Sequence, residues 1–321
     1  TRPHPPTPAV HPEADPLDHA FQDALVEGAA RLTPEQALDL WHRMPLADLG
    51  GLADRRSRAI HGETIRTYVI DRNINYTNVC TAKCTFCAFR RDQGDDDAYT
   101  LEYDELLNKI REVVAIGGTQ ILMQGGMNPE LPLDWYLELL RRIKSEFPQV
   151  HVHAFSPPEF IEFVNFFDPP GDSLKEKIRG VMGPLVEAGL DSVPGGGGEI
   201  FADAVRRKIG LGKCTAEAWL TVMRVAHEFG LNTSATMMFG HIEGIGDRIH
   251  HMDTVRRWQD DAIRELANDG GGRYHAFISW PFQPDNTPLG RLKEWGHGPG
   301  DDPGEPYPGD VVARLDGSGS K

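Results

Sequence analysis

Three cysteines stand close together in the segment NINYTNVCTAKCTFCAFRRD, which covers residues 73–92. Cys80, Cys84 and Cys87 follow a C-x3-C-x2-C spacing, and the only other cysteine of the chain is Cys214. A structural zinc site needs four ligands, usually in two separated pairs, and no second pair exists here. Three thiolates instead suit a [4Fe–4S] cluster in which one iron has no protein ligand and can bind a substrate or cofactor. Three incidental thiols or a degenerate zinc site are the alternative interpretations.

The segments around these cysteines alternate between strand and helix from about residue 67 onward. Six strand-like segments begin near residues 67, 119, 150, 190, 232 and 274, with helix-like segments between them. Such alternation indicates a parallel sheet with right-handed crossovers. Polar residues at every second position, Asn73 with Asn75 and His151 with His153, favour a barrel with a polar lumen over a doubly wound sheet.

Local signals place several helix boundaries. Thr33 is the predicted N-cap of the second of two short amphipathic helices near the N-terminus, because Pro34 follows it. Thr100 is the predicted cap of the helix that follows the cysteine segment, and the glycine pair 117–118 is its predicted end. A later helix contains Pro184 and is expected to kink or restart there.

Composition divides the chain into four predicted segments. Residues 1–17 contain six prolines and are predicted to be disordered, residues 18–66 form a helical extension, and residues 67–291 form the barrel. From Gly296 onward, 11 of 26 residues are Gly or Pro, so residues 292–321 are predicted to form a second disordered tail. The predicted fold is therefore α/β: a partial (β/α)6 TIM-like barrel with N-terminal helices and a disordered C-terminal tail, its sixth strand left as an edge.

The charge and the cysteine content exclude several classes of function. The formal net charge of −15 leaves no basic excess with which to bind nucleic acid. No apolar run is long enough to span a bilayer, and the first 17 residues lack the apolar core of a secretory signal. Sparse, clustered cysteines argue against a disulfide framework and indicate a reducing cytoplasm. The expected partner is a small-molecule substrate.

The cysteine spacing, in a loop directly after the first barrel strand, resembles the radical S-adenosylmethionine (radical SAM) superfamily. The resemblance implies a [4Fe–4S] cluster on Cys80, Cys84 and Cys87, with SAM bound to the open iron. An electron passed into the sulfonium of SAM releases methionine and a 5′-deoxyadenosyl radical. It also implies that Phe86 lies near the adenine and that an electron donor such as flavodoxin or ferredoxin serves the cluster.

Further candidate residues follow the predicted strands, where ligands of barrels bind. The resemblance implies that Gln124, Gly125 and Gly126 contact the methionyl amino group of SAM, and Ser156 is a further candidate for binding the cofactor. Four glycines at 195–198 follow the fourth strand and are expected either to admit a ligand close to the backbone or to form a flexible turn. Candidate bases are Glu159, His241 and Glu243, and candidates for binding the substrate carboxylate are Arg72, Arg90 and Arg91.

Longer strings, among them DRNINYTN, GGMNPELPLDWY, HAFSPPEF and WPFQPDNTPLG, resemble the dehypoxanthine futalosine cyclases of the futalosine route to menaquinone. This implies that the deoxyadenosyl radical takes a hydrogen from C4′ of the substrate ribose and that the carbon radical then closes onto a benzoate ring. Aminodeoxyfutalosine synthases and the deazaflavin-ring synthases of coenzyme F420 share these features and remain alternatives, as does a non-catalytic iron–sulfur electron carrier. An incomplete barrel is expected to compromise closure over the substrate.

Overall fold

The computed structural model describes residues 7–62, 67–210, 212–266 and 270–291. These residues fall into two compact units. The smaller unit runs to Tyr68 and includes Gly244–Arg256, and the larger unit contains Val69–Glu243 and resumes at Arg257. The predicted C-terminal tail, 292–321, lies outside the described residues.

Up to Tyr68, the described part of the smaller unit contains two short parallel strands and three helices. In chain order these are β1 (Ala9–Val10), α1 (His19–Glu27), β2 (Ala30–Arg31), α2 (Pro34–Arg43) and α3 (Leu46–His61). Strand β1 lies within the segment expected to be disordered, so from residue 7 onward that expectation is corrected. The segment is held in place because the Gln36 side chain donates hydrogen bonds of 2.8 Å to the carbonyl oxygens of His11 and Ala14.

The helix boundaries of this unit were predicted in part. Thr33 caps α2 and accepts a hydrogen bond from the Gln36 amide, as predicted. Helix α3 lies within the predicted helical extension but was not predicted as a separate helix, since Gly50 and Gly51 weaken its helix propensity and no residue on it is buried. A helix without a buried face gives no apolar periodicity to recognise.

The larger unit is built around one parallel sheet whose six strands follow chain order. They are β3 (Asp71–Asn75), β4 (Gln120–Gln124), β5 (His151–Ala154), β6 (Ser192–Val193), β7 (Asn232–Phe239) and β8 (Tyr274–Pro281). The predicted partial barrel of six parallel strands is confirmed. Within the described residues β8 pairs only with β7, so it lies at an edge of the sheet.

Helices follow the strands as crossovers. They are α4 (Tyr103–Ala115), α5 (Leu133–Glu146), α6 (Pro157–Phe167), α7 (Leu174–Ala188), α8 (Asp203–Ile209), α9 (Ala216–Glu228) and α10 (Ile245–Leu266), and a short 3-10 helix covers Leu289–Arg291. One prediction needs correction: Thr100 does not cap α4, because its hydroxyl instead lies 3.0 Å from that of Thr77. Helix α7 continues through Pro184 with buried residues on both sides of the proline, so the restart is excluded and the kink stays a prediction.

The two faces of the sheet differ in polarity. On β5, Val152 and Ala154 are fully buried, whereas His151 and His153 alternate with them on the opposite face. The apolar face meets the helices, so the polar face is turned to the barrel interior. No helix in the described ranges combines the length and the apolarity needed to cross a membrane.

We predict that Ile110→Ala in α4 lowers the free energy of unfolding by about 2–5 kcal/mol, because it leaves a cavity at a fully buried position. Ile116→Ala, directly after the same helix, is the matched control: its side chain is 71% exposed, and it should change stability by less than about 0.5 kcal/mol. Urea unfolding followed by circular dichroism measures both. Equal losses in the two variants would contradict this packing.

Candidate active site

The loop that follows β3 places the three clustered cysteines around one cavity of about 130 Å³. All four cysteines of the chain are free thiols, and Cys214 does not line this cavity. Cys84 is buried, and Cys80 and Cys87 are partly buried. The structure thus brings together most of the predicted site, since the cavity is lined by Cys80, Cys84, Phe86, Cys87, Gly125, Gly126, Ser156 and Glu159.

Backbone hydrogen bonds join the cysteine loop to the segment after β4. The Gly126 N–H donates to the carbonyl of Thr77 at 2.9 Å, and the Thr81 N–H donates to the carbonyl of Met127 at 3.0 Å. A side chain at position 126 would overlap the carbonyl of Val79, so only glycine allows this approach. The two segments predicted to bind the cluster and SAM are therefore fixed against each other by main-chain contacts.

Glu159 is a buried acceptor at the start of α6. Its carboxylate accepts hydrogen bonds from the Tyr76 hydroxyl at 2.5 Å, the Gly125 N–H at 3.2 Å, and both the N–H and the hydroxyl of Ser156 at 2.7 and 2.6 Å. Burial raises the pKa of Glu159, although these four donors oppose the shift. The contact between Ser156 and Glu159 is predicted by the S-x-x-E pattern of a capping box. Glu159 therefore holds the Gly125 backbone in place, and its role as a base stays a prediction.

The four glycines at 195–198 pack against protein. An added Cβ at Gly195 would lie 2.7 Å from the carbonyl oxygen of Ser234, and one at Gly198 would lie 2.7 Å from that of Thr236. The run therefore packs on the backbone of β7, and none of its glycines lines the cavity. Arg206 holds the run there by donating hydrogen bonds to the carbonyls of Gly197 and Gly198 at 2.9 and 2.8 Å. The run therefore has a packing role, in place of the ligand contact or flexible turn expected from the sequence.

Lys213 is a cavity residue that sequence reasoning missed. Its ammonium group donates to the Glu199 carboxylate at 3.0 Å and lies 4.8 Å from the centre of the Phe86 ring. Burial opposes the charge on Lys213, but Glu199 and Cys84 together more than offset this and hold the pKa of Lys213 above its ordinary value. No local motif marks Lys213, because its position depends on how the chain folds back before α9.

The thiols and Lys213 are electrostatically complementary. Burial raises the pKa of Cys84 to about 11 and also raises the pKa of Cys80, and the positive charge of Lys213 opposes both shifts. Thiolates are the form that binds metal, so a buried cation beside them lowers the free energy needed to ionise them.

The donor set fits a cluster with one open iron. Three free thiols from a single loop face the same cavity, and the fourth cysteine of the chain is absent from its lining. Among the described residues, no three Cys, His, Asp or Glu side chains are grouped to hold a single metal ion. In a [4Fe–4S] cluster each thiolate binds a different iron, so the three sulfurs need not converge on one point.

Other predicted residues lie elsewhere. His241 and Glu243 are buried in the loop after β7, where Glu243 accepts hydrogen bonds from the Gly240 and His241 amides, and neither residue lines the cavity. Gln124 does not line it either, since its amide lies beside Gly196. Their assigned roles stay predictions.

The three candidate arginines are separated. Arg90 lines the cavity and donates to the Cys80 carbonyl at 3.3 Å. Arg91 pairs with Asp97. Arg72 lies on a different pocket, of about 330 Å³, beside the outer edge of β3, and pairs with Glu112. Only Arg90 is therefore placed to meet a ligand near the thiols.

Comparison with protein families matches residues 74–255 to the radical SAM superfamily. The crystal structure of methylornithine synthase has the same fold as this chain, with a TM-score of 0.59 at 16% identity, and the match covers 93% of this chain and 77% of that one.

Two curated relatives are similar over most of the chain. The cyclic dehypoxanthine futalosine synthase of Halalkalibacterium halodurans is 39% identical over 275 residues, which is 85% of this chain and 70% of that protein. The aminodeoxyfutalosine synthase of Thermus thermophilus is 38% identical over 278 residues, which is 86% of this chain and 70% of that protein. The chain therefore spans about 70% of the length of each.

We predict that Glu199→Gln destabilises the metal-free protein by about 1–3 kcal/mol at pH 7, because it leaves the largely buried Lys213 without its charged partner. Burial then lowers the pKa of Lys213 below its value in the unfolded chain. The unfolded state of the variant then binds more protons than the folded state, so its stability rises with pH. The loss of unfolding free energy caused by Glu199→Gln should therefore shrink as the pH rises toward 10.

Chemical unfolding between pH 7 and 10 measures this dependence. Asp54→Asn, which breaks the exposed Asp54–Arg58 pair, is the control and should leave stability unchanged. A Glu199→Gln variant as stable as the wild type at pH 7 would contradict the assigned pairing.

Proposed function

We propose that this chain, which belongs to the radical SAM superfamily, converts dehypoxanthine futalosine into cyclic dehypoxanthine futalosine. The observation that carries the proposal is the cavity in which three free thiols of one loop face the Gly125–Gly126 backbone. Similarity to the cyclic dehypoxanthine futalosine synthase selects the substrate. The longer strings shared with the cyclases point the same way.

The enzyme uses a [4Fe–4S] cluster and SAM as its cofactors. We assign the cluster to Cys80, Cys84 and Cys87, whose thiols share the cavity. When bound, these cofactors supply a 5′-deoxyadenosyl radical that abstracts hydrogen. We assign SAM to the part of the lining formed by the backbone of Gly125 and Gly126 with Ser156. Phe86 offers an aromatic face and Lys213 a cation within the same lining.

The protein residues contribute by positioning and by excluding water. Glu159 fixes Gly125, and the Gly126 contact fixes the cysteine loop, so cofactor and substrate meet in a preorganised frame. The fold turns polar side chains such as Asn75 toward the barrel interior, where they are suited to a ribose and its hydroxyl groups. Of Glu159, His241 and Glu243, the bases expected from the sequence for the last proton, only Glu159 lines the cavity, and Arg90 is the one candidate arginine in the same lining.

The electron donor and the cellular compartment of the enzyme are inferred from its cluster chemistry and its cysteines. The cluster must be reduced from outside, so we assign a small electron-transfer protein, flavodoxin or ferredoxin, as its donor. Four free cysteines suit a reducing compartment, which places the protein in the cytoplasm in this proposal.

Aminodeoxyfutalosine synthesis is the alternative that a specific observation favours, because that relative is 38% identical over 86% of this chain. The two activities are separated by incubating the reduced enzyme with dehypoxanthine futalosine and SAM and identifying the product by mass spectrometry. A cyclised product supports our proposal. Release of 5′-deoxyadenosine without a cyclised product would contradict the cyclase activity, and no release would favour an electron carrier.

We predict that Cys84→Ala lowers reconstituted iron and sulfide content and abolishes substrate-dependent release of 5′-deoxyadenosine, as do Cys80→Ala and Cys87→Ala. Cys214→Ser is the matched control, since its thiol lies outside the cavity lining, and it should keep both properties. Iron and sulfide analysis, with chromatography of 5′-deoxyadenosine, measures them. An active Cys84→Ala protein, or a Cys214→Ser protein without cluster, would refute the ligand assignment.

We also predict that substrate deuterated at C4′ gives deuterated 5′-deoxyadenosine. The reason is that the proposed reaction moves this hydrogen directly to the 5′-carbon of the deoxyadenosyl radical. Mass spectrometry of 5′-deoxyadenosine from one turnover measures the transfer, with undeuterated substrate as the control. Unlabelled 5′-deoxyadenosine would show that another hydrogen is taken.

A further inference from the structure

Four polar side chains form a hydrogen-bonded line across three neighbouring strands of the barrel. His151 Nε2 on β5 lies 2.6 Å from the Ser192 hydroxyl on β6, and the same hydroxyl lies 2.6 Å from His153 Nδ1. His153 Nε2 lies 3.5 Å from the hydroxyl of Ser234 on β7. The Ser234 hydroxyl accepts a hydrogen bond of 3.0 Å from the Gly195 N–H. We call His151, Ser192, His153 and Ser234 the strand relay.

The hydrogen bonds of the strand relay are consistent with one direction. The Ser234 hydroxyl accepts from Gly195 and is free to donate its own proton to His153 Nε2, which corresponds to the tautomer of His153 with its proton on Nδ1. That proton is donated to Ser192, whose hydroxyl proton points to His151 Nε2. In this arrangement each group accepts a hydrogen bond from the side of Ser234 and donates one toward His151. A chain of hydrogen bonds with this direction can carry a proton from Ser234 to His151.

The two ends of the strand relay lie in different surroundings. Its inner end adjoins the glycine run, where Gly196 lies next to Ser156 of the cavity wall. Its outer end, His151, is the first residue of β5 and is exposed. Since β5 runs toward the cavity, the line leads from the carboxyl end of the strands to solvent at their amino end.

His153 is suited to pass a proton on and not to retain it. Burial lowers its pKa to about 4, and the neighbouring His151 adds to this effect, so the ring is neutral at pH 7. Asp191 and Lys144 are the charged groups that act on His151. His153 Nε2 lies 3.5 Å from the Ser234 hydroxyl, so this atom can accept the proton that Ser234 passes on.

We propose that the strand relay removes the proton released after cyclisation and delivers it to solvent through His151. This rests on the cyclase function proposed above. In the cyclised radical the new carbon–carbon bond has formed and one ring C–H bond must break. One electron leaves to a one-electron acceptor of the iron–sulfur class, and the proton passes to the Ser234 oxygen as the Ser234 proton moves to His153 Nε2. The Nδ1 proton of His153 moves to Ser192 as the Ser192 proton moves to His151, which releases a proton to water.

Ser192→Ala tests the strand relay because it removes the central hydroxyl and leaves both histidines. The measured quantity is the amount of cyclised product per 5′-deoxyadenosine, determined with reconstituted enzyme and dehypoxanthine futalosine. We expect at least an approximately tenfold fall in this ratio, with deuterium transfer from C4′ unchanged, since only a step after hydrogen abstraction is affected. Ser192→Thr keeps a hydroxyl and should restore the ratio.

The chain supplies a matched control in the pair formed by His227 and Thr233, whose ring nitrogen and hydroxyl lie 2.8 Å apart. Burial lowers the pKa of His227 to about 4, as for His153, but this pair is not part of the strand relay. Thr233→Val should therefore leave the ratio unchanged. If Ser192→Ala does not fold, His151→Gln at the exposed end removes the exit of the relay and should lower the ratio in the same way.

The possible outcomes separate this proposal from the proposed function. A wild-type ratio in Ser192→Ala, or in folded His151→Gln, would overturn the strand relay, and so would an equal fall in Thr233→Val. Absence of cyclised product from the wild-type enzyme would instead overturn the cyclase function on which the relay rests.

Discussion

The close approach of Gly126 to the cysteine loop is the constraint on which the rest of the site depends. The missing side chain lets the segment after β4 hydrogen-bond to Thr77 and Thr81, on either side of Cys80. Once this contact is made, the thiols and the backbone assigned to SAM have a fixed separation. Glu159 then secures Gly125 through its buried carboxylate. A reaction that generates a free radical needs such a frame, because a small displacement of the reacting atoms allows competing reactions.

Charge is the second organising factor. Three thiolates in a partly buried cavity repel one another and are costly to desolvate, and Lys213 supplies a nearby positive charge. A buried lysine is itself costly, so Glu199 from the loop after the glycine run holds it in its charged form. The two residues come from different parts of the chain, and Arg206 ties those parts together through the carbonyls of Gly198 and Cys214.

The sequence was most informative where a signal is local. The cysteine spacing, the alternation of strands and helices and the Thr33 cap each depend on residues close in the chain, and the structure has the predicted strands and cap. The link between Ser156 and Glu159 has an equally local signal in the S-x-x-E pattern of the capping box. Helix α3 lacks a buried face and gave no periodicity to read. Lys213 and the role of the glycine run depend on tertiary packing, which no short-range pattern encodes.

The most direct test of the central claim, a three-thiol cluster with an open iron that binds SAM, is electron paramagnetic resonance of the reduced, reconstituted protein. The reduced cluster should give a paramagnetic signal whose g values shift when SAM is added, because SAM becomes a ligand of the open iron. S-adenosylhomocysteine, which lacks the sulfonium charge, provides a comparison. A cluster signal that saturating SAM leaves unchanged would contradict the claim, since it would mean that no iron of the cluster has a coordination position open to SAM.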